Sequence, residues 1–202
     1  MLKGSGISKC VDFVKEAQRK YDKLSETQRK KYTQRWLVFD YDGHNDFEEG
    51  VKLGRSYGFK VAFSSMCIEY WFVLHFQNHD GQPIPVKGES HSKAQIEIIN
   101  KHITAYNKKF KASIPLYDDT SKVIEEEFFE LMLAIDPVTH NRRIEDACLR
   151  AESIHSLKRK SGQEFSESVT NLYQLLIELG VFVKVKEMTK GKSEVERWRL
   201  SI

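Results

Sequence analysis

Apolar and polar positions along the chain follow two periods, and the change from one to the other marks the elements. In residues 7–31, Ile7, Val11, Val14 and Ala17 recur at helical spacing with charges between them. This predicts a helix that Ser5 or Ser8 could cap. Trp36-Leu37-Val38-Phe39 is a continuous apolar run, read as a strand buried on both faces, as in a parallel sheet. Asp42-Gly43-His44-Asn45 breaks it. Asn45 or Asp46 then caps a helix ending near Gly58, with Phe47, Val51 and Leu53-Gly54 pointing inward. A second strand covers about 59–63, and a third element, roughly 67–77, follows Ser64-Ser65. Strand, helix and strand at this spacing predict a right-handed βαβ unit. Ligands of such sheets collect at the C-terminal ends of strands, where Asp40, Asp42, Ser64 and Ser65 stand.

Residues 78–92 hold two of the four prolines together with Gly81 and Gly88, which predicts a loop and a boundary. The chain is therefore expected to divide into an α/β core over 1–80 and a mainly helical region over 81–202. Helices are predicted over 94–110, 121–134, 144–160 and 166–179, stopped in turn by turn residues, Asp136-Pro137 and Gly180. Alternation at 181–186 and 198–202 predicts a small terminal hairpin.

Composition narrows the class. With 202 residues, 40% hydrophobic and 30% charged, the chain can build a core and stay soluble. It has no apolar run of about 18 residues, so no membrane span is expected. The opening MLKGSGISKC lacks the apolar centre of a secretory signal. Cys10, Cys67 and Cys148 have neither disulfide-framework nor zinc spacing, and are read as free thiols of a reducing cytoplasm. A net charge of +3, from 32 cations and 29 anions, permits nucleic acid as a partner without arguing for it.

The chemistry lies in the acids. On an extended strand, Asp40 and Asp42 would point to one side about 6–7 Å apart. There they could hold Mg²⁺ or Mn²⁺, hard cations that prefer carboxylate and water. The bland alternative gives Asp42 to the turn and Asp40 to capping. Glu69 stands among Ile68, Trp71, Phe72 and Val73, where a carboxylate needs a partner, with Ser64, Ser65 or a backbone N–H expected to supply one. Direct metal binding by Glu69 is the alternative. His75 reads as a satisfied, half-buried histidine with a catalytic role as the alternative, and His44 as an exposed turn residue within reach of a metal at Asp42. Lys158-Arg159-Lys160 or Arg142-Arg143 could contact phosphates, or be ordinary surface.

Two family resemblances bear on these residues. F-D-Y-D-G resembles the first motif of haloacid-dehalogenase-type phosphatases, which implies Asp40 as nucleophile, Asp42 as general acid and bound Mg²⁺. V-A-F-S-S resembles that family's second motif. However, His44 stands where that family has Thr or Ser, and the second half is helical where its sheet would continue.

W-x-V-F-D-x-D-x-H, K-V-A-x-S and C-I-E-Y-W-F-V-L-H-F resemble the RloB-like family, from about Gly4 to Gly180. The stretch 69–76 is the most specific piece; Arg150-Ala151 and E-S-V-T-N-L-Y-Q-L-L add to it. The resemblance implies a TOPRIM-like (Rossmann-like) parallel-sheet core with a helical C-terminal extension. It also implies a bacterial phage-defence effector, an ATPase partner and Mg²⁺-dependent cleavage of nucleic acid. Asp40 and Asp42 would be the metal ligands, with Glu69 and His75 completing the site and Ser65 supporting it. That family's opening, Glu-bearing strand would precede Gly4, so the chain is expected to be shortened at its start. A homologue that binds the ATPase or nucleic acid without catalysis is the non-enzymatic alternative.

Overall fold

The computed structural model describes residues 9–88, 90, 92–118, 120, 123–188 and 194–201. Ser5, Ser8 and Ser121, expected at helix starts, lie outside the described residues. The elements are α1 (Cys10–Asp22), α2 (Glu26–Arg29), β1 (Trp36–Asp40), α3 (Phe47–Ser56), β2 (Lys60–Ser64), α4 (Glu69–Phe76), α5 (Lys93–Phe110), α6 (Glu126–Leu133), α7 (Arg143–Lys160), α8 (Leu172–Glu178), β3 (Phe182–Met188) and β4 (Glu194–Leu200). The fold is mixed α/β, with one parallel strand pair, β1–β2, and one antiparallel pair, β3–β4, among the described residues. Two compact units meet in sequence between Phe63 and Ser64, earlier than the loop at 78–92 suggested.

In the first unit, β1, α3 and β2 form the expected β-α-β succession. Phe47 at the start of α3 meets Phe39 of β1 and Phe63 of β2 edge-on, at centroid distances of 5.8 and 5.6 Å. Helix α1 packs on α3 through glycine. A Cβ at Gly50 would lie 2.6 Å from Cys10 Cβ, and one at Gly54 would lie 2.9 Å from Leu37 Cδ1. Four residues apart, the two glycines share one helix face, which lets the neighbouring backbone approach. The long first helix expected over 7–31 is broken: α1 ends at Asp22, and Ser25 and Gln28 form a capping box that starts α2. Strand β1 also departs from expectation. Leu37 is buried but Val38 is 47% exposed, so this apolar run is not covered on both faces.

The second unit is built around α4. Its seven residues from Glu69 to His75 are all buried. A helix that is apolar all round belongs in a core, and α5, α6 and α7 pack against this one. Phe72, Phe76, Tyr117 and Phe128 form an aromatic cluster beside it. The expected helix over 166–179 is shorter, beginning at Leu172, because Thr170 is spent on a bridge to Ser64. The terminal hairpin is present, with Phe182 opposite Leu200. Among the described residues, no helix is long and apolar enough to cross a membrane.

Candidate functional site

The first unit carries the acidic turn. β1 ends at Asp40, and the chain then turns through Asp42 at φ 38° and Gly43 at φ 78°. Asp42 is therefore no longer on extended backbone, and strand alternation does not set its direction. An aspartate tolerates this left-handed conformation better than most residues. The turn closes through His44 N–H donating to Tyr41 O at 2.7 Å and Phe47 N–H donating to His44 O at 3.1 Å. Asp42 is exposed and Asp40 half-buried. Two residues apart, their Cα atoms are separated by about 7 Å at most.

Asp46 does something the sequence did not disclose. It stands at the start of α3 but makes no cap bond there. Its carboxylate instead accepts the N–H groups of Cys10 and Val11, at 3.2 and 2.9 Å, and so caps α1 from 35 residues away. Burial raises the Asp46 pKa, but those backbone donors outweigh it and hold the carboxyl below its ordinary value. Burial first, then the charges of Asp46 and Asp40, push the Cys10 thiol up to about 12. Cys10 is thus an inert, buried thiol.

The second unit holds the other two predicted site residues. Glu69 is 5% exposed, and its Oε1 accepts the Tyr117 hydroxyl at 2.9 Å. The partner expected from the sequence was Ser64, Ser65 or a backbone N–H. Ser64 Oγ donates instead to Cys67 O at 2.7 Å, and Ser65 N–H to Val169 O at 2.8 Å. Ser65 Oγ is buried with no hydrogen-bond partner among the described residues, and Met66 beside it takes φ 86°. His75 is more deeply buried than expected. Its Nδ1 lies 3.0 Å from Trp71 O, so that nitrogen carries the proton. Burial, with Arg150 and Arg143 as lesser causes, lowers its pKa to about 4, which keeps the ring neutral.

Among the described residues, no group of three His, Cys, Asp or Glu side chains is placed to hold a metal ion. Two carboxylates are still compatible with Mg²⁺, which is commonly bound through one or two carboxylates plus waters and substrate phosphate. Asp40 and Asp42 supply a donor set of that kind.

Sequence reasoning missed a cleft in the second unit. A cavity of about 400 Å³ is lined by Phe76, His102, Tyr106, Asp136, Arg143 and Arg150, among others. Arg143, expected at the surface, is 5% exposed. The available signal was spacing: Arg143 and Arg150 are seven apart on α7 and share one face. Of the basic run, Arg159 and Lys160 are exposed as expected, while Lys158 is half-buried.

The RloB-like protein family matches residues 2–179. The chain belongs to the RloB-like family. Neither a curated protein nor a solved structure matches it. The family match takes in both the turn at Asp40–Asp46 and the buried helix α4, so the two places that drew notice for their acids lie within one family domain.

Proposed function

We propose that this RloB-like chain is a metal-dependent nuclease on a TOPRIM-like α/β core, with Asp40 and Asp42 as ligands of Mg²⁺ or Mn²⁺. The observation that supports it is the end of β1. There the strand ends on half-buried Asp40 and the chain turns at once through exposed Asp42 on left-handed backbone, in a chain of this family. A divalent ion held there would polarise a phosphate oxygen and acidify a bound water. The chain's own part is to present the two carboxylates on a fixed turn. α3 follows directly, and its first residue, Phe47, is clamped between Phe39 and Phe63. Glu69 and His75 act in this reading as positioning residues. Both are buried and hydrogen-bonded within their own unit, and they hold α4 rather than touch substrate. The family assignment carries the remaining proposals: nucleic acid as substrate, a defence ATPase as partner and a cytoplasmic location.

The test is calorimetric titration of Mn²⁺ into the wild type and the Asp40→Asn/Asp42→Asn double variant, with cleavage of single-stranded DNA, duplex DNA and RNA followed in Mg²⁺ and in EDTA. One metal site, lost in the double variant together with cleavage, is expected. If the wild type binds no metal there, the nuclease reading fails. A beryllofluoride adduct on Asp40 would move the chain to phosphatase chemistry instead.

A further inference from the structure

The cleft of the second unit is built to attract an anion. Three permanent cations line it, Arg143, Arg150 and Lys109, against the single carboxylate of Asp136. Two of them are withdrawn from water: the Arg143 side chain is 6% exposed and that of Arg150 is 15% exposed. Burying a guanidinium is costly unless a close anion compensates it. Here the compensation is loose. Asp136 Oδ2 stands 3.5 Å from Arg143 Nε, and Asp146 Oδ2 stands 3.8 Å from Arg150 Nη2. Both acids are engaged elsewhere. Asp136 Oδ1 accepts the N–H groups of Val138 and Thr139, at 2.8 and 3.2 Å. Asp146 accepts the Thr139 hydroxyl and, at 2.8 Å, the Asn141 amide.

Other guanidinium nitrogens serve the fold. Arg150 Nη1 donates to Leu74 O at 2.6 Å and Arg143 Nη1 to Leu131 O at 3.3 Å, near the C-terminal ends of α4 and α6. Arg143 Nε, fully buried, has no hydrogen-bond partner among the described residues.

The rest of the lining is aromatic. The Arg143 guanidinium lies over Phe76 and Tyr106, at 5.8 and 5.6 Å from the ring centroids. Tyr106 leans on Phe110 with centroids 4.6 Å apart, and Phe110 is 48% exposed. Lys109 stands beside the same ring. Cations interleaved with aromatic faces suit a ligand that joins a phosphate to a flat ring, because the base stacks while the phosphate meets the cations. The cavity's size, about 400 Å³, falls in the range of small-ligand sites.

We propose that this cleft binds a nucleoside phosphate, its phosphate at Arg143 and Lys109 and its base against Tyr106 and Phe110. The nucleotide arrives either free or as one unit of a single strand, and the site works without Asp40, Asp42 or a metal.

The test is equilibrium binding of the full chain, in EDTA and low salt, to AMP and separately to a fluorescein-labelled deca-adenylate, with inorganic phosphate as competitor. Wild-type binding should weaken with added salt. Lys109→Ala and Phe110→Ala alter exposed side chains, so their circular dichroism should match the wild type. Each should weaken binding roughly tenfold, the loss expected from one charge-assisted contact or one stacked base. Binding of AMP assigns a free nucleotide, and binding of the oligonucleotide alone assigns a nucleotide within a strand. The proposal is overturned if neither probe binds, if both variants bind as the wild type does, or if inorganic phosphate binds as tightly as AMP. Asp40→Asn should leave this binding unchanged, which separates failure here from failure of the nuclease reading.

Discussion

The sequence reading made the aspartates of the β1 turn metal ligands and Glu69 their support, and the structure holds the two kinds of acid in opposite ways. Glu69 is enclosed on a helix with no polar face, and its carboxylate accepts the Tyr117 hydroxyl. The turn holds Asp42 in the open on left-handed backbone. An enclosed carboxylate with a dedicated partner is a structural group, and its loss should be felt in stability. An exposed carboxylate on a surface turn costs the fold little. The difference teaches that the number of acids in a motif says less than the surroundings of each.

The sharpest way to break this contrast is Glu69→Ala. It leaves a cavity and strands the Tyr117 hydroxyl, and should cost about 2–4 kcal/mol in urea denaturation. Tyr117→Phe should cost about 1–3 kcal/mol by removing a hydroxyl that the buried carboxylate accepts. If both variants are as stable as the wild type, Glu69 is not structural.

His75 is expected to give the next largest effect, through pH. Its folded pKa, lowered to about 4 by burial, lies below the ordinary histidine value. The unfolded chain therefore takes up the proton first as pH falls. The stability His75 contributes is complete above about pH 6.5 and is lost on the way down to about 4. Denaturation midpoints of His75→Gln should vary less with pH over that window than those of the wild type.

Asp46→Ala should cost about 1 kcal/mol, the worth of a helix cap. Its carboxyl is held below its ordinary pKa, so the increment is present above about pH 4 and disappears as pH falls through the folded value. Asp46→Asn should show a flatter acid limb.

Asp42→Asn should have the smallest effect on folding, within about 0.5 kcal/mol, because asparagine also accepts left-handed backbone. Calorimetry should nevertheless show weakened Mn²⁺ binding. A large stability loss would mean that Asp42 belongs with Glu69 after all.

Much of the fold was legible in order and kind. The strands at β1 and β2, the helices from α3 to α7 and the terminal hairpin follow from periodicity and from breakers such as Gly58, Pro137 and Gly180. Three readings failed for reasons outside any local window. Val38 looked like core because its neighbours are apolar, but it stands 47% exposed. Asp46 looked like the cap of its own helix, but the free N–H groups of α1 lay within reach and took its oxygens. Arg143 looked like surface because arginine usually is, yet the aromatic rings of Phe76 and Tyr106 receive its guanidinium and let it stay inside.

The sequence by itself determined the family, the succession of elements and the acids worth attention, since periodicity, turn residues and motifs are properties of neighbours along the chain. Only the tertiary structure decided which acid is enclosed, which helix Asp46 caps and where two arginines enclose a cleft. Those outcomes depend on groups 35 to 76 residues apart meeting at hydrogen-bond distance. Such meetings are set by how the helices pack, and packing depends on volumes and partners that no local pattern encodes.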